Sequence, residues 1–393
     1  MKNTKRLLSV SEFKKYFPVK KAGGVFGKKQ YVKANENVTL DIYEGETFAL
    51  VGESGSGKST FGKTLLRLQK PTGGTALYYG NVENGNTEKR NDKKGNGEQG
   101  GDEKENPNPV DLTKLTNAQM RRLRKDLQII FQDPYSSLNP RMTVGQIIAE
   151  GAITHKFFKR GEKALERYVL DVMEKCGLQA HMLHRYPHQF SGGQRQRVCI
   201  ARALAVKPRF IVCDECVSAL DASIQSQILN LLSKLKEEEK LTYLFISHDL
   251  SVVRHVSDRI GVMYLGEIVE IGETEQVFQT PRHPYTIAMI AAVPTVETDR
   301  ETTDREATDR EAKTRISKPK SQKILLKGNP PSPVSPPNGC KFHTRCFMAQ
   351  EICKSCVPPL IEVEKGHFAR CHFAEITTAA KRKKAFAQSL HKG

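Results

Sequence analysis

The sequence reads Gly52-Glu53-Ser54-Gly55-Ser56-Gly57-Lys58-Ser59 at its most informative point, and these residues match the pattern G-x-x-x-x-G-K-S. The apolar run FALV precedes the pattern, and the helix-forming run STFGKTLLRL begins at Ser59. A strand before the loop and a helix after it are the context that a phosphate-binding loop requires. A glycine-rich turn without a ligand is the alternative, and both flanking segments argue against it.

The residue types of this loop suit the phosphates of a nucleoside triphosphate. Glycines let backbone N–H groups turn toward phosphate oxygens, and the N-terminus of the following helix adds positive potential. Lys58 is expected to reach the β- and γ-phosphates, and the Ser59 hydroxyl is expected to bind Mg²⁺. The residues predicted to contact the nucleotide here are Gly52, Ser54, Gly55, Gly57, Lys58, Ser59 and Thr60.

The fold class follows from the pattern of apolar residues on either side of the loop. Short apolar runs at 48–51, 210–213 and 244–246 alternate with helical segments, which is typical of an α/β protein with a mostly parallel sheet. Residues 31–47 alternate as a half-buried antiparallel sheet would, and residues 141–187 look helical. The sequence therefore predicts a parallel core with an N-terminal antiparallel β-subdomain and a helical subdomain.

Two further segments carry groups that suit phosphate chemistry. The run FIVC ends in Asp214 and Glu215, so Asp214 is placed to hold Mg²⁺ at a strand end and Glu215 to orient the attacking water. Two adjacent acids are weak evidence alone, but the phosphate loop strengthens it. A second glycine pair occurs in Ser191-Gly192-Gly193-Gln194 at the start of a helical run, which indicates a second anion site.

At SGGQ the chain resembles the ATP-binding cassette (ABC) ATPases, whose signature sequence this is, and the resemblance extends over residues 5–295. It implies that Gln132 is the Q-loop glutamine, which also binds Mg²⁺, that Asp221 is the D-loop aspartate and that His248 is the switch histidine. Glu215, His248 and Gln132 would then carry ATP hydrolysis. Taken alone, Gln132 reads as a surface amide, Asp221 as a helix cap and His248 as a structural histidine.

The same resemblance implies a site shared between two subunits. Ser191, Gly193 and Gln194 of one chain would complete the phosphate-loop site of a partner. Tyr31 is the predicted adenine-stacking aromatic by its position ahead of the loop, with Phe26 second. The sequence departs from the family in having Cys216-Val217 where Pro-Thr is usual, and Phe190 at the first signature position.

Three segments narrow the resemblance to the ATPases of oligopeptide and dipeptide importers, of the OppF/DppF type. They are QDPYSSLNPRMTV from Gln132, PRHPYT from Pro281, and a cysteine-rich tail. The resemblance implies a peptide importer in which this chain pairs with a second, different ATPase, two membrane permease subunits and an external substrate-binding protein. It also implies a peripheral position at the cytoplasmic face of the membrane. Nickel or another small solute is the alternative cargo.

Five cysteines crowd the last 54 residues of the chain, a pattern that indicates metal more than disulfides in a reducing compartment. The resemblance implies a [4Fe–4S] cluster held by Cys340, Cys346, Cys353 and Cys371, although their spacing does not match the common ferredoxins. Zinc is one alternative, because His343, His367 and His372 lie close in sequence, and a tail that holds no metal in the isolated protein is the other. Cys356 could replace Cys353 as a ligand.

The remaining segments are read from composition. Residues 81–109 contain one apolar residue, Val82, so we expect a disordered insertion, and residues 296–327 form a charged linker. A Pro-rich stretch then introduces a separate Cys-rich module at 328–378, followed by a basic tail at 379–393.

The formal charge of +18 permits a different class of protein, a soluble ABC ATPase that acts on ribosomes or nucleic acid. A single phosphate loop and a non-heptad insertion argue against that class, which usually carries two cassettes or a coiled-coil insert. No stretch approaches the roughly 18 apolar residues of a membrane span, and no signal peptide is recognisable at the N-terminus. We therefore expect a soluble, unexported chain that contains no nucleic-acid site.

Overall fold

The computed structural model describes residues 5–19, 30–80, 109–293, 326 and 328–376. The predicted insertion at 81–109, the charged linker at 296–327 and the basic tail at 379–393 lie outside the described residues, apart from Pro109 and Leu326. Phe26 lies outside them as well.

The strands and helices of the described residues alternate along most of the chain. The strands are β1 (Arg6–Val19), β2 (Gln30–Tyr43), β3 (Thr47–Val51), β4 (Gly73–Tyr78), β5 (Val110–Asp111), β6 (Leu127–Ile130), β7 (Phe210–Asp214), β8 (Thr242–Ser247), β9 (Arg259–Tyr264), β10 (Glu267–Glu273), β11 (Ile361–Glu364) and β12 (His367–Ala369). The helices are α1 (Lys58–Leu65), α2 (Asn117–Leu123), α3 (Pro134–Ser137), α4 (Val144–Thr154), α5 (Lys163–Lys175), α6 (Gly192–Leu204), α7 (Ala222–Glu238), α8 (Leu250–Val256), α9 (Thr274–Gln279), α10 (Pro284–Ala291) and α11 (Glu351–Ser355).

The main sheet has the strand order β11-β12-β10-β9-β3-β8-β7-β6. The five strands from β9 to β6 pair in parallel, and β10, β12 and β11 continue the sheet as antiparallel strands. Strand β3 is buried along its whole length because helices cover one face of the sheet and a second sheet covers the other. The prediction of an α/β fold with a mostly parallel core is confirmed.

The second sheet is antiparallel and has the order β2-β1-β4-β5. Its apolar side packs on the main sheet, so that Phe48 and Leu50 of β3 share one hydrophobic core with Val38 and Ile42 of β2. Alternate residues of the same strand, Ala49 and Val51, face the helices in a second core. The antiparallel β-subdomain predicted for residues 31–47 is therefore confirmed.

The helical subdomain contains α4 and α5, as predicted for residues 141–187. Thr143 begins α4 with a capping box, in which its hydroxyl accepts from the Gln146 N–H and the Gln146 amide oxygen accepts from the Thr143 N–H. Buried residues recur on one face of α5 at Leu165, Val169 and Val172, which explains why this helix packs on the protein.

The C-terminal region does not stand apart from the α/β region as the Pro-rich stretch predicts. Strand β12 pairs with β10 through Glu270↔Ala369 and Ile271↔Phe368, and Phe342 belongs to the core that also contains Val51. Residues 328–376 thus extend the main sheet and share its core. The domain boundaries at 295 and 328 remain predictions. Among the described residues, no helix combines the length and apolar character that crossing a membrane requires.

Candidate functional site

The carboxyl ends of three parallel strands meet at one edge of the main sheet. Val51 at the end of β3 pairs with Ser247 at the end of β8, and Asp214 at the end of β7 pairs with Ile246. Ligands of open α/β sheets bind outside the carboxyl ends of the strands. Asp214 ends β7, and the phosphate loop, Glu215 and His248 follow these three strands directly, so the fold brings them to the same edge.

The glycines of the phosphate loop are required by the close approach of other backbone. Gly57 precedes α1 with φ of +105°, and a Cβ atom there would lie 2.1 Å from the carbonyl oxygen of Ala34. Gly52 has φ of +151°, and a Cβ atom there would lie 2.2 Å from the carbonyl oxygen of Met263. Side chains are therefore excluded at both positions, and the loop lies directly against β2 and β9.

Lys58 points across this loop. Its Nζ donates to the carbonyl oxygens of Gly52 at 2.7 Å and Glu53 at 2.9 Å. Burial lowers the pKa of the Lys58 ammonium, and the nearby carboxylates of Glu215, Asp214 and Glu53 partly offset that effect. An ammonium that is held by loop carbonyls and little hydrated is well placed to exchange them for phosphate oxygens.

Glu215 lies at the centre of the predicted catalytic group. Its Oε2 accepts from Gln132 Nε2 at 3.0 Å and lies 3.4 Å from His248 Nδ1. The backbone of Glu215 has φ of +49°, a strained conformation for a residue with a side chain, and its N–H donates to Ile246 at 3.0 Å. The structure thus brings together the three residues that the sequence assigns to hydrolysis.

Asp214 has the surroundings of a cation ligand. Its side chain is 2% exposed, and Oδ2 lies 3.1 Å from Lys63 Nζ. Its buried Oδ1 has no hydrogen-bond partner among the described residues. Buried carboxylate oxygens ordinarily have partners, so this orphaned atom, together with the hydroxyl of Ser59, fits the oxygen ligands that Mg²⁺ prefers.

A cavity of about 370 Å³ lies in front of the phosphate loop, which is a suitable volume for a nucleotide. Gln132, Glu215, Phe17, Val32 and Pro333 are among the residues that line it. The loop residues in its wall are Ser54, Gly55, Gly57, Lys58, Ser59 and Thr60.

Tyr31 does not line this cavity, and the residue is 42% exposed. Strand β2 pairs Val32 with Phe17 of β1, and both of these residues face the cavity. Phe17 is therefore an aromatic side chain of the cavity wall that the sequence analysis did not name. It stands ahead of the loop as Tyr31 does, so only the strand register distinguishes the two.

The signature residues begin a helix at a distance from the cavity wall. Ser191 caps α6: its hydroxyl accepts from the Gln194 N–H at 3.3 Å, and the Gln194 amide accepts from the Ser191 N–H at 3.1 Å. A Cβ atom on Gly193 would lie 2.3 Å from Ile224 Cγ2, so glycine permits α6 to approach α7. Asp221 caps α7 by accepting from the Ile224 N–H at 3.0 Å.

Four of the tail cysteines line one small enclosed cavity, namely Cys340, Cys346, Cys353 and Cys371. Backbone N–H groups donate to two of the thiols, from Met348 to Cys346 Sγ and from Phe373 to Cys371 Sγ, each at 3.4 Å. Burial raises the pKa of both thiols to about 12. Cys356 is exposed and does not line the cavity, so the structure favours Cys353 over Cys356 as the fourth member.

The described residues nevertheless contain no group of three or more His, Cys, Asp or Glu side chains arranged to hold a metal ion. The four thiols therefore have the donor chemistry of a metal site without the tight arrangement of one. His367 is also committed elsewhere, because its Nε2 lies 2.7 Å from Glu270 Oε1 in a fully buried pair.

This fold and this site define the class of ABC ATPases. A family model described as ABC transporter matches residues 35–218, and one described as oligopeptide/dipeptide transporter, C-terminal region, matches residues 269–318 and 310–353. A dimeric post-hydrolysis structure of the cassette MJ0796 with ADP and Pi is similar at a TM-score of 0.54 and 27% identity, over 68% of this chain and 99% of that one. CbiO1 of Clostridium perfringens is similar at a TM-score of 0.53 and 25% identity, over 70% and 91%.

Curated relatives are similar over almost their entire lengths. The oligopeptide transport ATP-binding protein AppF of Bacillus subtilis is 43% identical over 372 residues, which are 94% of this chain and 98% of the relative. The dipeptide transport ATP-binding protein DppF of Haemophilus influenzae is 42% identical over 371 residues, with the same two coverages. The chain belongs to the family of ATP-binding subunits of oligopeptide and dipeptide transporters. It is an ATPase that serves a peptide importer, and ATP with Mg²⁺ is its expected ligand.

Proposed function

We propose that this chain hydrolyses ATP in the cavity in front of the phosphate loop, with Glu215 as the residue that orients and deprotonates the attacking water. The observation that carries the proposal is the Glu215 carboxylate, which is held between Gln132 and His248 at the cavity wall. A carboxylate that is fixed by two neighbours presents its other oxygen in a defined direction, which favours general-base chemistry. In this proposal Lys58 and the loop N–H groups bind the β- and γ-phosphates, and His248, which lies beside Glu215, contacts the γ-phosphate.

Mg²⁺ would be held by Ser59, Gln132 and Asp214, the last through water, and would supply charge neutralisation at the phosphates. Asp214 and Gln132 each have a neighbour that sets the position of the side chain. Lys63 fixes one oxygen of Asp214, and the other oxygen has no hydrogen-bond partner among the described residues. The Gln132 amide can exchange its contact with Glu215 for a ligand, which would couple binding in the cavity to the position of the segment after Gln132.

The adenine is proposed to lie against Phe17, in place of the predicted Tyr31. Phe17 and Val32 line the cavity, whereas Tyr31 is exposed and does not line it. An aromatic face contributes stacking energy to base binding. Phe17→Ala should therefore weaken ATP binding more than Tyr31→Ala, as measured by nucleotide titration of the two variants.

The complete enzyme is proposed to be a heterodimer with a homologous ATPase. The signature residues do not line the cavity of their own chain; they are Ser191, Gly193 and Gln194. They form the N-terminus of α6, and a helix N-terminus suits the phosphates of a nucleotide that is held by a partner. Asp221, at the start of the adjacent helix, would lie at the same interface.

Two permease subunits and an external substrate-binding protein complete the proposed importer. Through the permease subunits, the ATPases bind peripherally at the cytoplasmic face of the membrane. Peptides are the proposed cargo, because the similar proteins are ATP-binding subunits for oligopeptide and dipeptide transport. The same relatives favour a transporter subunit over an ATPase that acts on ribosomes or nucleic acid.

The test of the catalytic proposal compares Glu215→Gln with Lys58→Ala in the assembled transporter, after the partner's catalytic site has been disabled. Glu215→Gln should retain ATP affinity while hydrolysis falls by about 10² or more, which is the scale of losing a general base. Lys58→Ala should weaken ATP binding itself. Both quantities are measured, ATP binding by titration and hydrolysis by phosphate release.

Glu237→Gln is the matched control, because it makes the same chemical change on the exposed face of α7. It should leave both quantities unchanged. Normal hydrolysis by the Glu215→Gln variant would assign the role of base to another group.

We also propose that Cys340, Cys346, Cys353 and Cys371 hold a [4Fe–4S] cluster. Support comes from their common cavity and from the backbone N–H groups directed at two of the sulfurs. Cys₄ ligation is the usual set for such a cluster, and metal binding would release the protons that burial now retains on the thiols.

Anaerobically purified protein should then be brown and contain about four irons per chain. Cys346→Ser should remove the colour and the iron, and Cys356→Ser, the control at an exposed cysteine, should retain both. If the anaerobic protein is colourless and contains one zinc per chain, the cluster proposal is wrong and the four cysteines form a zinc site.

A further inference from the structure

A partly buried ion pair joins the C-terminal region to the phosphate loop. The guanidinium of Arg345 approaches Glu53 with both of its terminal nitrogens, at 2.7 Å to Oε2 and 2.9 Å to Oε1. The Arg345 side chain is 6% exposed and the Glu53 side chain 28%. Two residues that are 292 positions apart therefore form a bidentate contact, the strongest geometry available to this pair of side chains.

Glu53 is the second residue of the phosphate loop, and its backbone is part of the loop's own network. Its carbonyl oxygen accepts from Lys58 Nζ at 2.9 Å and from the Ser56 N–H at 3.2 Å. Its N–H donates to the hydroxyl of Tyr285 at 2.8 Å. A displacement of Glu53 would therefore move the carbonyl oxygen that holds Lys58, the lysine proposed to bind phosphate.

Arg345 is itself held in place by aromatic packing. Phe342, three residues earlier, is buried with its ring centroid 5.2 Å from that of Tyr264 and 5.4 Å from that of Tyr285. The Arg345 guanidinium lies over the Tyr264 ring, 5.9 Å from its centroid. The segment between Cys340 and Cys346 thus packs against Tyr264 and Tyr285, and the hydroxyl of Tyr285 is the group that accepts from the Glu53 N–H.

We infer that Arg345 is a positioning residue of the ATP site, which fixes the phosphate loop from the C-terminal region and neutralises the carboxylate that the loop carries. The physical reason is charge. A nucleotide brings several negative charges to the loop, and an unneutralised Glu53 would repel them in a partly buried environment where screening is weak. The cysteine-rich region is then part of the machinery that sets ATP affinity.

The test measures the dissociation constant for Mg·ATP on the full chain, and hydrolysis in the assembled transporter. Arg345→Gln leaves the Glu53 charge unopposed and should weaken binding about tenfold, equivalent to about 1.4 kcal/mol. The maximal hydrolysis rate should change less than twofold, because Glu215 is untouched. Arg345→Lys keeps the charge without the bidentate geometry and should weaken binding two- to threefold, which also provides a folded variant if the glutamine fails to fold.

Rescue distinguishes this role from simple docking of the tail. In the double variant Glu53→Gln/Arg345→Gln the repelling charge is gone, so affinity should return to within about threefold of the original. A role limited to holding the tail in place predicts no rescue, because the double variant lacks the contact just as the single variant does. The comparison is a double-mutant cycle on two residues in contact.

Glu364→Gln is the matched control. Glu364 on β11 pairs with Arg282, so this variant also removes an ion pair between the C-terminal region and the α/β region, at a place that does not touch the phosphate loop. It should leave Mg·ATP affinity within twofold of the original. An equal loss of affinity in the control, an Arg345→Gln affinity within twofold of the original, or a double variant without rescue would each overturn the inference.

The inference rests on the proposed nucleotide site, and the two fail in different ways. If Lys58→Ala does not weaken Mg·ATP binding, the proposed site is wrong. If Lys58→Ala weakens it and Arg345→Gln does not, the site stands and only the role of Arg345 is wrong.

Discussion

His283 is a fully buried base at the junction of the two regions, and burial lowers its pKa from an ordinary 6.5 to about 3. The nearby Arg370 guanidinium acts in the same direction. The neutral ring caps α10, since its Nδ1 accepts from the Tyr285 N–H at 3.1 Å. The folded protein therefore keeps the ring neutral at pH values where the unfolded chain protonates it.

The sign of the pH dependence follows directly. Between pH 6.5 and pH 3 the unfolded state binds the extra proton, so the free energy of unfolding falls as the pH falls, by about 1.4 kcal/mol per unit from this group. His283→Asn keeps a helix-capping acceptor but cannot titrate. Urea unfolding at pH 7 and pH 5 should show that the original chain loses about 2 kcal/mol more than the variant over this interval. Equal losses would mean that His283 does not remain neutral in the folded state.

A sequence motif predicts the position of some residues of the site, whereas the position of others depends on how the strands are paired. Glu215 and His248 follow directly after buried strands, and Lys58 comes at the end of the loop that follows β3, so their position at the sheet edge could be predicted from the sequence. Phe17 could not, because β1 shifts register against β2 at several points between Arg6 and Tyr16. A shift of one residue moves a side chain to the other face of a strand. Arg345 carries no local signal for its partner, which lies in a distant part of the chain.

At the scale of elements, the strands that flank the predicted insertion are direct neighbours. Tyr78 at the end of β4 pairs with Val110 at the start of β5, so the chain leaves and re-enters the sheet at adjacent points. A short connection can span such a gap. We expect that replacing residues 81–109 by a Gly/Ser loop leaves thermal stability and ATPase activity nearly unchanged, since loop closure costs only about 0.6 kcal/mol per doubling of length.

The control for this replacement is a loop of scrambled native composition and equal length. Melting temperature, phosphate release and peptide uptake are measured for both chains. Lost uptake with normal hydrolysis would give the insertion a docking role, and a large loss of stability would show that it packs on the folded protein.

The strands and helices differ in how well they can be predicted from their sequences. Strand β3 is a continuous apolar run in front of the loop, and α5 repeats buried residues at helical spacing, so both could be predicted. The tail strands could not. β11 and β12 contain four and three residues, which is too short for a periodic pattern. The pairing of β12 with β10 joins segments about 100 residues apart, and packing rather than local propensity determines it.

At the scale of the whole molecule, the C-terminal region and the α/β region share one core. Glu270 on β10 accepts from the N–H groups of Arg282 and His283 and also contacts His367 on β12. Removing the tail would leave this buried carboxylate without its histidine and expose the aromatic packing around Phe342. Because a buried polar group that loses its partner costs about 1–3 kcal/mol, neither region is expected to keep its full stability alone.

Cooperative unfolding of the two regions is the resulting prediction. The chain contains no tryptophan, so a single introduced Trp reports on one place. Phe368→Trp places the probe on β12, and Tyr43→Trp places it on β2 beneath the Arg259 guanidinium, which lies 5.0 Å from the ring centroid. If sheet and core are shared, urea unfolding followed by fluorescence should give the same midpoint for both probes, since one cooperative unit has one transition. A tail probe that unfolds at a clearly lower urea concentration would restore the separate module that the Pro-rich stretch predicts, and it would also remove the structural basis for a fixed Arg345.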